Sequence, residues 1–212
     1  MNFFLRNLTA NFLVRIAQIF ERLGRNNSAA GCYQRSLRIY STPEASWKLS
    51  LLLIEKRQYK QAETLLREVV ATYPERMSPN ASLAFCLLMQ RHWSKAETLY
   101  QQLFEASPSK FQKFARLSSN AVERDKFVLT TDMQLAAREL IDEKRYSDAL
   151  TQLREAYEFA PGNAEIANNI GWLMLKTGSP TQDALPYFEQ AVKNAPDDSR
   201  FLKHYHRTKK RT

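Results

Sequence analysis

YKQAETLLREVVATYP (residues 59–74) and WSKAETLYQQLFEASP (residues 93–108) align at an offset of 34. The tetrapeptide AETL is identical in both, and Ala62 falls on Ala96, Leu66 on Tyr100, Val69 on Leu103 and Pro74 on Pro108. The same offset carries upstream, placing Leu49 on Leu83, Ser50 on Ala84 and Leu53 on Leu87. Apolar residues three and four apart mark one face of a helix, and the closing proline stops it. A helical unit repeated at a fixed period buries its apolar face only against its neighbours, so the chain reads as a stacked array.

Three further copies fit the same frame. YSDALTQLREAYEFAP (146–161) supplies Ala149, Leu153, Ala156 and Pro161. QDALPYFEQAVKNAP (182–196) supplies Ala184, Phe188, Ala191 and Pro196, and is preceded by Ile170-Gly171. The first copy is degenerate, with Ile16, Ala17 and Phe20, then Ala29, Tyr33 and Ser36, its proline displaced to Pro43. A period of 34 with this pattern resembles the tetratricopeptide-repeat (TPR) family, whose signature is W-x2-L-G-x2-Y, then A-x3-F, then P. The resemblance implies an all-α, right-handed superhelical solenoid of about five helical hairpins, at about 10–42, 43–76, 77–108, 130–163 and 164–197.

In that frame the eighth position holds Ala17, Ser50, Ala84, Ala137 and Gly171, and the twentieth holds Ala29, Ala62, Ala96, Ala149 and Ala184. Small residues there let the two helices of a hairpin cross closely while larger neighbours interdigitate. Tyr59, Trp93 and Tyr146 share the seventeenth position, and Tyr33, Tyr100 and Phe188 the twenty-fourth. These aromatics are expected to be packing residues.

Two stretches break the period. Ala96 and Ala149 stand 53 residues apart, which leaves SKFQKFARLSSNAVERDKFVL (109–129) as a helical insertion between the third and fourth repeats. Phe111, Phe114, Ser118, Ala121 and Val122 are expected on one face of its helix. Residues 1–9 read as an amphipathic extension of the first helix. Its apolar arc runs through Leu5, Leu8, Phe12, Leu13, Ile16, Ile19, Phe20 and Leu23, opposite Asn7, Asn11, Arg15, Gln18, Arg22 and Arg25. That arc either caps the solenoid or docks on a membrane surface or a partner. The organisation expected is therefore an extension (1–9), repeats one to three (10–108), the insertion (109–129), repeats four and five (130–197) and a basic cap or tail (198–212).

The net charge of +9 sits at the ends: residues 26–198 hold 21 basic and 21 acidic side chains. A neutral body lacks the basic stripe that phosphate binding needs, so nucleic acid is an unlikely partner and an RNA-binding helical repeat the weakest reading. The tail carries Arg200, Lys203, Arg207, Lys209, Lys210 and Arg211 with no acid, and is expected to be a solvated end separable from the body. Five glycines leave no phosphate loop, no Ser or Cys lies in a nucleophile motif, and Cys32 and Cys86 have no CxxC spacing. His204 and His206 have no carboxylate or thiol companion. No enzyme activity, metal or cofactor is expected. No run of apolar residues is long enough to cross a bilayer, which points to a cytoplasmic protein, peripheral to the membrane if its basic helix docks there.

The family resemblance further implies that the first helix of each hairpin lines a concave face through its positions 2, 5, 9, 12 and 13. The groove residues on this reading are Trp47, Leu51, Phe85, Leu88, Met89, Gln134, Arg138, Asn168 and Trp172. An apolar, aromatic groove of this kind suits a peptide or helix segment. TPR cochaperones that clamp the terminal carboxylate of heat-shock proteins place Lys, Asn, Asn, Lys and Arg at set positions. Here those positions offer Val14, Gln18, Lys48, Ser78 and Ser82, or Trp47, Leu51, Ser82, Thr131 and Leu135. The clamp is absent from both registers. The leading expectation is a non-catalytic interaction scaffold, an adaptor or chaperone-like protein. The alternative is a membrane-peripheral assembly factor of a bacterial secretion or envelope complex.

Overall fold

The computed structural model describes residues 3–211, so Met1, Asn2 and Thr212 of the expected extension and tail lie outside it. The described residues form twelve α-helices and no strand. They divide into two compact units at residues 121/122. Unit 1 contains the hairpins α1–α2 (Phe3–Arg22, Asn26–Ile39), α3–α4 (Pro43–Glu55, Tyr59–Thr72) and α5–α6 (Met77–Met89, Trp93–Ala106), then a single helix α7 (Pro108–Ser119). Unit 2 contains α8–α9 (Ala121–Asp142, Tyr146–Phe159), all but the first residue of α8, then α10–α11 (Ala164–Lys176, Thr181–Asn194) and a closing helix α12 (Ser199–Lys209).

Each hairpin turns by the same device. Its fifteenth residue adopts the left-handed conformation: Gly24, Arg57, Arg91, Lys144 and Gly178, with φ between 57° and 86°. The next amide then reaches back five residues to the helix it has left. The donors and acceptors are Arg25 to Phe20 (2.8 Å), Gln58 to Leu53 (2.9 Å), His92 to Leu87 (2.8 Å), Arg145 to Leu140 (2.8 Å) and Ser179 to Met174 (2.8 Å). This closure satisfies carbonyls that a helix end leaves orphaned. Three of the five turns manage it without glycine, at a conformational cost. Lys144→Gly is therefore expected to stabilise unit 2 by about 0.5–1 kcal/mol in denaturant unfolding, since Lys144 is exposed and its side chain adds no packing.

The close crossings lie where the small residues are. Ala17, Ala29, Ser50, Ala62, Ala84, Ala96, Ala137, Ala149, Gly171 and Ala184 are all buried. Gly171 is the tightest: a Cβ built there would stand 2.9 Å from Phe188 Cζ. In unit 2 Ala137, Ala149 and Ala184 join Leu153, Ile166, Ile170, Leu173 and Phe188 in one cluster.

The structure departs from the sequence reading at the irregular segments. α8 runs unbroken through residues 129 and 130, so the expected end of the insertion is not a helix end. α7 stops at Ser119. Ala121 and Val122 therefore do not share its face, and Val122 is 78% exposed. The tail is not a solvated end. α12 buries Phe201 against Ala167 and Ala191, and Tyr205 packs on the main cluster of unit 2. Lys203, Arg207, Lys209, Lys210 and Arg211 occupy its exposed side. Its first turn is capped by Asp198, whose Oδ1 accepts from the Arg200 amide at 2.9 Å.

Candidate functional site: a cleft in unit 1 and a concavity in unit 2

The cleft of unit 1 has a volume of about 270 Å³ and a nearly all-apolar lining. α3 contributes Leu51 and Ile54, α5 contributes Ala81, Ser82 and Phe85, and α6 contributes Tyr100. α7 closes the far wall with Phe111 and Phe114. Phe114 stacks on Tyr100 with centroids 5.4 Å apart and planes 12° from parallel. Tyr100 is buried, and burial drives its phenol well above the usual pKa, so it stays neutral. Phe85 meets Tyr59 of the preceding hairpin edge-on at 6.3 Å.

Of the groove residues expected from sequence in this unit, Leu51 and Phe85 line the cleft. Trp47 stands outside it, half-buried, its indole Nε1 enclosed without a hydrogen-bond partner among the described residues. Leu88 and Met89 are core residues and do not reach the groove. α5 packs against α3, α4 and α6, which leaves only a narrow strip of it exposed and draws its last turn inward.

The concavity of unit 2 is larger, about 530 Å³, with a lining of mixed polar and apolar residues. Gln134 and Arg138 of α8 and Trp172 of α10 line it, as their positions imply. Asn168 does not. It is buried, and His204 Nδ1 donates to its Oδ1 at 2.7 Å, so its neighbour Asn169 faces the opening instead. Trp172 packs edge-on against Tyr146 at 5.8 Å, the pairing seen for Phe85 and Tyr59. The aromatics assigned to groove and seam are thus in contact with each other.

Sequence reasoning missed Arg200 and His204, which α12 brings to the concavity. A signal was there: α12 starts 18 residues after the start of α11, the spacing that separates α4 from α5 and α9 from α10. The tail therefore begins where another first helix would. Burial, with Lys203, Arg207 and Arg200 nearby, holds the His204 imidazole below its ordinary pKa. Arg200 is engaged by both carboxylate oxygens of Asp198, at 3.1 and 2.7 Å. Glu165 and Asp142 also line the space, so its charge is mixed.

Burial pushes the Cys86 thiol up to about 12, which keeps it protonated and inert. Among the described residues no group of three or more His, Cys, Asp or Glu could hold a metal ion.

A family model described as a tetratricopeptide repeat matches residues 53–119, and a second of the same description matches 14–82 and 135–202, more than half of the chain. No curated protein matches the sequence. Among solved structures, MamA (residues 41 to the end) from Desulfovibrio magneticus RS-1 is 14% identical, covering 90% of this chain and 97% of its own, with a TM-score of 0.46. TTC0263, a TPR protein of Thermus thermophilus, is 16% identical over 94% of this chain and 98% of its own, with a TM-score of 0.44. The TPR2AB domain of yeast Sti1, solved as a pHSP90 complex, is 14% identical over 94% and 82%, with a TM-score of 0.45.

Proposed function

The chain belongs to the tetratricopeptide-repeat family, and from that premise we propose that it is a non-catalytic protein-interaction scaffold whose unit 1 cleft receives an apolar side chain of a partner segment. The observation that carries the reading is the cleft's lining. Eight residues from four helices converge on it, and only Ser82 and the Tyr100 phenol bring a side-chain polar atom. Water held against such a lining is displaced favourably by an aliphatic or aromatic side chain. The rings of Phe85, Phe111 and Phe114 give an anchor the large contact area typical of binding hot spots. The concavity of unit 2 offers hydrogen-bonding and charged groups beside Trp172, and suits a polar segment.

The cleft is tested by selecting displayed peptides on the full chain and on Ala81→Glu. Ala81 is partly exposed within the cleft wall, so the substitution puts a carboxylate where an apolar anchor would sit and leaves the rings in place. Selected peptides are expected to share one aromatic or aliphatic anchor position and to be lost on Ala81→Glu. Selection of the same peptides by both proteins would place binding elsewhere.

A further inference from the structure

α1 carries two apolar faces, and only one is covered. Ala10, Val14 and Ala17 are buried, because the crossing with α2 admits small residues. Leu13, Ile16 and Phe20 are half-buried, and the remaining described large residues of the helix point away from the crossing. Phe4, Leu5, Leu8, Phe12 and Ile19 are all more than half exposed, Phe12 at 61% and Ile19 at 55%. Phe12 and Ile19 hold the third and tenth positions of their repeat. The same positions in later hairpins are Ala45 and Leu52, Pro79 and Cys86, and Ile166 and Leu173, and every one of them is buried. In α8 they are the polar residues Asp132 and Glu139. α1 has an apolar face at that place.

Charge identifies the occupant. Residues 3–40 hold six arginines and a single carboxylate, Glu21. That carboxylate is engaged internally: it accepts from the Tyr33 hydroxyl at 3.1 Å and pairs with Lys48 at 3.6 Å. Among the described residues none of the six guanidiniums is ion-paired. Arg15 lies one turn from Phe12 and one from Ile19, and Arg22 one turn beyond Ile19, so both flank the exposed stripe and do not stand opposite it as the sequence reading expected. Their stems can lie along apolar surface while the guanidiniums stay in the polar layer. A second copy is disfavoured, because stripe against stripe brings these arginines together, and stripe against α12 meets another helix with four basic residues, Arg200, Lys203, Arg207 and Lys209, and no acid. The stripe is also long. α1 has 20 residues against 13 in α3, α5 and α10, and Phe4 to Ile19 spans about 22 Å. A packed repeat helix would cover part of that length, whereas a planar surface meets all of it.

We propose that the exposed apolar stripe of α1, with Arg15 and Arg22 along it, seats the protein on an anionic lipid surface. The helix lies in the interface and does not span it: no described helix is long and apolar enough to cross a membrane. The site is separate from the unit 1 cleft and stands whether or not the cleft binds a peptide.

The test is co-sedimentation of the full chain with phosphatidylcholine vesicles, alone and with about a third phosphatidylglycerol, the kind of anionic surface that attracts basic segments. Two variants accompany it, Leu8→Ser/Phe12→Ser and Arg15→Glu/Arg22→Glu, all at exposed positions, so melting temperatures should hold. Wild type is expected on the anionic vesicles only. Each variant should lose at least about tenfold in affinity: one near-surface basic charge is worth about 1 kcal/mol, roughly fivefold, and the charge variant reverses two, while the serine variant removes two large apolar side chains from the interface. Ala81→Glu should bind vesicles as wild type does. Absence of wild type from anionic vesicles, or binding that survives both variants, overturns the proposal. So does a wild-type dimer, seen by light scattering, that the stripe variants dissociate, for then a second copy is the occupant.

Discussion

Truncation after Asp198 is expected to unfold unit 2. The loss of the Phe201 ring alone, buried against Ala167 and Ala191, should cost about 3–5 kcal/mol. Tyr205 leaves the main cluster at the same time, and Asn168 loses the imidazole that holds its Oδ1. Combined losses of this size remove much or all of the roughly 5–15 kcal/mol that stabilises a domain. Circular dichroism of the truncated chain should show the transition of unit 2 gone or shifted far below that of unit 1. A control replacing Lys203, Arg207, Lys209, Lys210 and Arg211 by Gln should melt near wild type, because these side chains are exposed. If truncation is harmless, α12 is an ornament on unit 2 and the packing described for Phe201 is wrong.

Phe188→Ala should cost a similar amount, about 3–5 kcal/mol, since the ring is fully buried at the α10–α11 crossing. Its coupling to Gly171 is the sharper result. With Phe188 present, Gly171→Ala sets a methyl 2.9 Å from the ring and should destabilise by about 1–3 kcal/mol, outweighing the better helix propensity of alanine. With Phe188 already replaced by alanine the obstacle is gone. Gly171→Ala should then be neutral or stabilising by up to about 1 kcal/mol. A double-mutant cycle by chemical denaturation measures the difference directly. Additive effects would mean that ring and glycine do not meet.

The parts legible in the sequence are those where one residue type answers one geometric demand. A helix crossing admits only a small side chain, so Ala62, Ala96, Ala149 and Gly171 fix the frame without further information. The turns were less legible, because Arg57, Arg91 and Lys144 take a backbone conformation that glycine usually announces. In α1 the hydrophobic arc left two readings open, a buried cap or an exposed docking face. Bulky apolar residues suggest a buried face, yet the crossing selects Ala10, Val14 and Ala17 and turns Phe12 and Ile19 outward. At the site, positions along a helix identify which residues face the concave side but not how far neighbours close over them. Leu51, Phe85, Gln134, Arg138 and Trp172 were reached in that way. Leu88, Met89 and Asn168 were not, because packing around α5 and the imidazole of His204 enclose them. Phe111 and Phe114 were visible as one face of a helix, but only the fold of unit 1 brings that face to the cleft.

Whether the unit 1 cleft is a receptor for an apolar side chain is decided by one titration. The dissociation constant of a selected peptide is measured by calorimetry for wild type and Ala81→Glu, at low and high salt. Binding to wild type should change little with salt, since its source is apolar contact and not screened charge. Ala81→Glu should lose about 2 kcal/mol or more, roughly thirtyfold, with an unchanged melting temperature. Equal affinity for the two proteins, or wild-type affinity that collapses as salt is added, would contradict the assignment of the cleft.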